Sequence, residues 1–290
     1  MLILEILKTV LLGIVEGITE WLPVSSTGHM ILLDEFIRLD TTEQFKELFF
    51  VVIQLGAIAA VAVLFFSRLN PFSKKKSEAE RRGTWFLWGK VIVGALPAAA
   101  LGLLLDDILD KYLYNYVTVA IALVVYGVAF IAVEKIREGR AYRVSEVDEL
   151  TYRDALLIGC FQILSLIPGT SRSGSTILGG MTLGVSRKAS SEFSFFLAIP
   201  IMLGASALKA LKFVYEYATT ETPEAYIPDG ELGSYLLILA VGMLVSFLVS
   251  FFAIRFLMDF VKRHSFTPFG IYRIALGVIV IGYFVIKTFA

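Results

Sequence analysis

The sequence predicts an all-α polytopic membrane protein built as an inverted-topology repeat. Each half is a re-entrant helical hairpin followed by three transmembrane helices. Three observations lead there. Hydrophobic residues make up 57% of the 290 positions and mean hydropathy is +0.76. Several apolar runs match the roughly 20 residues that cross a ~30 Å hydrocarbon core. Two other stretches, about 1–46 and 152–188, carry Gly, Pro and polar side chains that a lipid-facing helix does not tolerate.

The spans follow in order. The apolar N-terminus is interrupted by Glu5 and Lys8 and has no small-residue cleavage site after it, so it is expected to stay in the fold rather than act as a secretory leader. Leu48–Phe66, Trp85–Leu105 and Val117–Val133 are the spans of the first half; Phe193–Phe213, Tyr235–Met258 and Phe269–Ile286 are those of the second. The connection 67–84 holds Arg68, Lys74, Lys75, Lys76, Arg81 and Arg82, which the positive-inside rule places in the cytoplasm. A loop around Asp106, Asp107 and Asp110 then falls outside, and Lys135, Arg137, Arg140 and Arg143 return inside. The acidic stretch with Glu216, Glu221, Glu224, Asp229 and Glu231 lies outside; Lys262, Arg263 and the interfacial His264 lie inside.

This alternation forces the two odd stretches to enter and leave on one side each. The 152–188 hairpin does so from inside and the 1–46 hairpin from outside. A shift of 146 residues lays Ser25-Ser26-Thr27-Gly28-His29 over Ser171-Arg172-Ser173-Gly174-Ser175, Gly13 over Gly159, Glu16 over Gln162 and Thr19 over Ser165. Repeat 1 covers about 1–146 and repeat 2 about 147–290 of a single membrane domain. Three spans are an odd number, so the halves point oppositely, and broken helices meet near the midplane. The 26 basic and 26 acidic residues cancel, which gives no reason to expect a nucleic-acid partner. The lone Cys160 excludes an internal disulfide and reads as a small core residue.

Two clusters carry reactive groups. Glu16 and Glu20 are spaced i, i+4, which puts both carboxylates on one helix face. Two buried carboxylates that close need a cation, a shared proton or water. Pro23 breaks the helix, and Ser25, Ser26 and Thr27 follow it, with His29 one turn past Ser26. One such hydroxyl serves as a helix cap; three in a row, with a histidine, suggest a site. The second cluster is Pro168-Gly169-Thr170-Ser171-Arg172-Ser173-Gly174-Ser175-Thr176. Glycine and short hydroxyl residues at a helix start expose N–H groups to phosphate oxygens, and Arg172 adds a planar fork of donors. Gly169, Thr170, Ser171, Ser173 and Thr176, with Ser25 and Thr27, are the candidate phosphate-binding residues. A pyrophosphate facing two glutamates and one arginine leaves excess negative charge, so Mg²⁺ or Ca²⁺ on Glu16 and Glu20 is expected, and zinc is disfavoured for want of ligands.

The pair of motifs, Glu16 to Glu20 with Ser25 through His29 and Pro168-Gly169-Thr170-Ser171-Arg172-Ser173, resembles the undecaprenyl-diphosphate phosphatases, the bacitracin-resistance family. The resemblance runs through the whole chain. It implies hydrolysis of undecaprenyl diphosphate to the monophosphate, recycling the lipid carrier of cell-wall precursors at a bacterial inner membrane. It also implies a site that opens to the periplasm and a divalent cation. The family's functional positions fall on Glu16, Glu20, Ser25, Ser26, Thr27, His29 and Arg172, with the Pro168–Thr176 loop. The expected catalytic set is Ser26, His29, Glu20 and Arg172. Ser26 is the nucleophile with His29 as base or acid; the reverse, His29 as nucleophile, stays open. So do the natural metal, the lipid chain length and whether the protein forms a homodimer. The rival from another class is a carrier or flippase for a phosphorylated lipid, since inverted repeats with broken helices also build transporters.

Overall fold

The computed structural model describes residues 2–113 and 115–289, without the side chains of 34, 106–108, 110, 111, 288 and 289. Among the described residues eleven α-helices follow one another: α1 Leu2–Thr19, α2 Ser26–Phe36, α3 Glu43–Leu64, α4 Phe66–Leu69, α5 Glu78–Leu113, α6 Tyr116–Arg137, α7 Tyr152–Ile163, α8 Arg172–Thr182, α9 Arg187–Thr219, α10 Leu232–Phe260 and α11 Thr267–Phe289. No strand occurs among the described residues; one isolated bridge joins Val144 to Val185. The fold is an all-α, multi-pass membrane protein.

Among the described residues six helices are long and apolar enough to cross a bilayer: α3, α5 over Glu78–Leu105, α6, α9, α10 and α11 over Thr267–Lys287. They are the six spans expected from hydropathy, each starting earlier than expected, while α3 stops at Leu64, two residues short of Phe66. Side-chain caps set several starts. Thr42, Asn115, Thr151 and Ser186 each accept a bond from an N–H in the first turn, which would otherwise lack a partner. Two expectations need correcting. The backbone at 106–110 is not a loop, because α5 runs on to Leu113; the acidic side chains Asp106, Asp107 and Asp110 lie outside the described ones. Cys160 is exposed rather than part of the core. Apolar sequence context does not separate core from lipid-facing surface in a membrane protein, where both are apolar.

Between hydrocarbon-lined helices no hydrophobic drive remains, so close contact must come from small residues. A Cβ on Gly159 of α7 would stand 2.2 Å from the Gly94 carbonyl oxygen of α5, and one on Gly56 of α3 would stand 2.1 Å from that of Met243 in α10. Backbone meets backbone at both crossings. Elsewhere the core is aromatic: Trp21, Phe193, Phe195 and Phe196 are wholly buried, with Trp21 edge-on to Phe195 at 5.3 Å.

Of the remaining helices, α4 is a single turn after α3, and the other four form two hairpins, α1–α2 and α7–α8. With 11 residues each, α2 and α8 reach about 16 Å at 1.5 Å per residue, half a bilayer. Each hairpin closes at its base. Lys8 Nζ donates to the Arg38 carbonyl at 2.6 Å, and Glu5 Oε2 accepts from Asp40 N at 2.8 Å, joining the start of α1 to the end of α2. Arg143 holds the other base: it pairs with Asp154 at the start of α7 and donates to the Leu183 carbonyl at the end of α8. Residues at the Arg143 end are laced by Arg68–Glu192, Arg68–Asp148, Arg187–Glu134 and Lys188–Glu146 pairs. The opposite end carries Lys209–Glu47 and Lys287–Glu35. The tips of the two hairpins meet in between.

Candidate active site

Each tip is a broken helix with the same cap. Ser25 precedes α2 with φ 75° and Ser171 precedes α8 with φ 70°, the two non-glycine residues with positive φ among those described. The side chain of Ser25 accepts from Gly28 N at 3.3 Å and that of Ser171 from Gly174 N at 3.1 Å. A left-handed serine costs about 1–3 kcal/mol and persists only where the surroundings enforce it. Both short helices begin immediately after these caps, where the two tips touch. The caps satisfy Gly28 and Gly174, while Ser26, Thr27, Arg172 and Ser173 are the first-turn N–H groups that have no intrahelical acceptor.

The two tips are joined by charge. Arg172 Nη2 donates to Glu20 Oε1 at 2.9 Å, across 152 residues of sequence. Glu20 Oε2 accepts from Ser26 Oγ at 3.0 Å. Guanidinium, carboxylate and hydroxyl thus form one continuous relay. Arg172 Nη1 donates to the Ser194 carbonyl of α9 at 2.7 Å, and the guanidinium lies 5.5 Å over the Trp21 ring, so the fork is held from three sides. Glu16 is 2% exposed, sits within electrostatic reach of Glu20 and Arg172, and its Oε1 is buried without a hydrogen-bond partner among the described residues.

The other expected residues have varied placements. His29 does not bond Ser26. Its Nδ1 donates to the Ser25 carbonyl at 2.7 Å, and Nε2 therefore accepts from the Tyr272 hydroxyl at 2.6 Å, the rings stacked at 5.6 Å. The Thr170 hydroxyl donates to the carbonyls of Leu164 and Ile167, both at 2.8 Å. Ser173 Oγ donates to the Glu20 carbonyl at 3.0 Å, and Thr176 Oγ1 bonds Ser194 Oγ at 2.7 Å. Ser25, Thr170, Ser171, Ser173 and Thr176 therefore use their hydroxyls to shape the loops. Gly169, at φ 92°, makes the turn: a Cβ there would stand 2.6 Å from the Val119 carbonyl oxygen. Ser26 and Thr27 stay half-buried.

Three residues at the site had gone unremarked in the sequence: Ser194, Tyr272 and Arg273. Ser194 reaches Arg172 through its carbonyl, which no residue type reveals, while its hydroxyl accepts from Thr176. Arg273 was legible, as an arginine in the second turn of an apolar span and so a default functional candidate.

Residues 9–279 match the family described as bacitracin resistance protein BacA. The chain is 55% identical over 281 residues to an undecaprenyl-diphosphatase of Limosilactobacillus fermentum, covering 97% of this chain and 98% of that one. It is 54% identical over 289 residues to one of Streptococcus mutans, covering 99% of each. A third, from Enterococcus faecalis, is 52% identical over 283 residues, 98% of this chain and 99% of the other. With most of its length matched, the chain belongs to the bacitracin resistance protein BacA family.

Proposed function

We propose that the chain hydrolyses undecaprenyl diphosphate to undecaprenyl phosphate and inorganic phosphate, recycling the lipid carrier of cell-wall synthesis. Full-length relatives at 52–55% identity carry the undecaprenyl-diphosphatase name. The observation that carries the chemistry is the relay Arg172–Glu20–Ser26. Ser26 Oγ attacks the terminal phosphorus while Glu20 Oε2, already 3.0 Å away, takes its proton. Arg172 and the first-turn N–H groups of α2 and α8 stabilise charge on the transferred phosphoryl oxygens, and the lipid monophosphate leaves with the proton that Glu20 took, which frees the carboxylate again. Water then cleaves the phosphoserine with Glu20 as base. His29, gripped by Tyr272, holds the Ser25 carbonyl and hence the strained cap.

A divalent cation, Mg²⁺ or Ca²⁺, fits this set at Glu16, where a buried carboxylate oxygen has no partner among the described residues; Glu20 offers its remaining lone pairs. Bound there with the diphosphate, it would neutralise part of the substrate's charge. The matching serine caps 146 residues apart and the two closed hairpin bases at opposite ends support the inverted repeat and its re-entrant hairpins. The crowding of arginines at the Arg143 end supports that end as cytoplasmic in a bacterial inner membrane, with α2 leading from the site to the outer side.

The test is phosphate release from undecaprenyl diphosphate by detergent-purified protein, with and without EDTA, beside Ser26→Ala. The expected result is EDTA-sensitive turnover in the wild type and a loss of about 10³-fold or more in the variant. Acid-stable label on serine in a trapped intermediate would agree; acid-labile label on His29, or full activity of Ser26→Ala, would overturn the assignment.

A further inference from the structure

Arg273 of α11 is wholly buried, yet it approaches no carboxylate within ion-pair distance among the described residues. Its partners are backbone carbonyls. Nη1 donates to Pro23 O at 3.1 Å, and Nη2 to Gly169 O at 2.8 Å and Thr170 O at 3.0 Å. Pro23 lies two residues before the strained Ser25; Gly169 and Thr170 lie just before the strained Ser171. One guanidinium therefore binds the peptides leading into both strained caps. The packing is tight: a Cβ on Gly174 would come within 3.2 Å of Nη1, and the group lies 5.3 Å over the Tyr126 ring.

A buried cation with no counterion is costly, so the arrangement needs a reason beyond packing. The backbone carbonyl oxygens of Pro23, Gly169 and Thr170 are acceptors that a charged donor binds more strongly than a neutral one. A fork with fixed geometry can hold two strands in one relative position, which a point charge on a flexible stem cannot. We propose that Arg273 is a positioning residue for the phosphoryl-transfer site: it latches the two hairpin tips to each other and so fixes Ser26 and Glu20, on one tip, against Arg172 on the other.

The proposal rests on the hydrolytic reading above, and the experiment separates the two. Arg273→Met removes the latch while filling similar volume without charge; Arg273→Lys keeps the charge and loses the fork. Steady-state hydrolysis of undecaprenyl diphosphate in detergent gives kcat and KM. Hydrogen exchange of the same samples reports the two tips, 21–25 and 167–171. The latch predicts that kcat of Arg273→Met, per folded molecule, falls by about 10²-fold, since a misplacement of about 1 Å costs that much. KM stays within about threefold, Arg273→Lys recovers only part of the rate, and exchange rises in both tips together. An unchanged kcat, a raised KM at constant kcat, or exchange rising at one tip or neither would overturn it. If Arg273→Met does not fold, Arg273→Lys alone decides, by joint loosening of the tips with reduced kcat. A wild type that releases no phosphate would sink the hydrolytic reading, while the exchange data would still judge the latch.

Discussion

Arg172 makes two directed bonds at once, one to the Glu20 carboxylate and one to the Ser194 carbonyl, and presents a flat face to Trp21. Lysine offers charge without that fork. Arg172→Lys is expected to lower kcat by about 10²-fold, the usual effect of losing one well-placed donor to a developing oxyanion. A steady-state phosphate-release assay checks it, and near-wild-type turnover would remove Arg172 from its role. Glu20 and Arg172 were legible because an acidic pair and an arginine stand beside helix breaks. The division of labour among the hydroxyls was not. Ser25 and Ser26 are neighbours of one residue type, yet one caps α2 and the other faces Glu20. That difference arises from the φ of 75° at Ser25, which depends on tertiary contacts.

At the scale of elements, the glycine crossings and helix caps set stability. Gly159→Ala places a methyl 2.2 Å from the Gly94 carbonyl oxygen, a backbone atom that cannot turn aside, so α7 and α5 must separate. A cost of about 1–3 kcal/mol follows, as for overpacked cores. Thermal unfolding in detergent should show a clear drop for Gly159→Ala, and none for Gly83→Ala, whose added Cβ meets nothing within 4 Å. Equal midpoints would refute the close crossing. Asp154 tests the base of the second hairpin. Burial pushes its carboxyl upward, but hydrogen bonds from Arg143 and from the Thr151 N–H and hydroxyl outweigh that and hold it below the ordinary aspartate value. A carboxyl depressed in the folded state stabilises above the unfolded value near ~3.9, and this contribution is lost as pH falls through the folded one. The wild type should therefore unfold at a higher temperature than Asp154→Asn at pH 7, with the gap narrowing as pH falls below the unfolded value near ~3.9. A gap that widens in acid would reverse the assignment. Hydropathy gave all six spans, because length and apolarity alone decide them; it missed the continuation of α5 to Leu113, since polar residues at a span's end suit a loop and a protruding helix alike.

For the whole molecule, two hairpins are closed at opposite ends by charged side chains and meet tip to tip, and the site exists only where they meet. A 146-residue shift in the sequence aligned Ser25 with Ser171, and the structure gives both the same strained cap. The joint itself could not be read in advance. It depends on Arg273, which belongs to neither hairpin and reaches carbonyls that no sequence pattern marks. The most direct measurement is a double-mutant cycle of Glu20→Gln and Arg172→Lys on kcat/KM for undecaprenyl diphosphate. Groups 2.9 Å apart in one pocket should be strongly coupled, the double variant being little worse than the poorer single one. Losses that simply multiply would mean that the two tips act in separate environments, and the shared site would be contradicted.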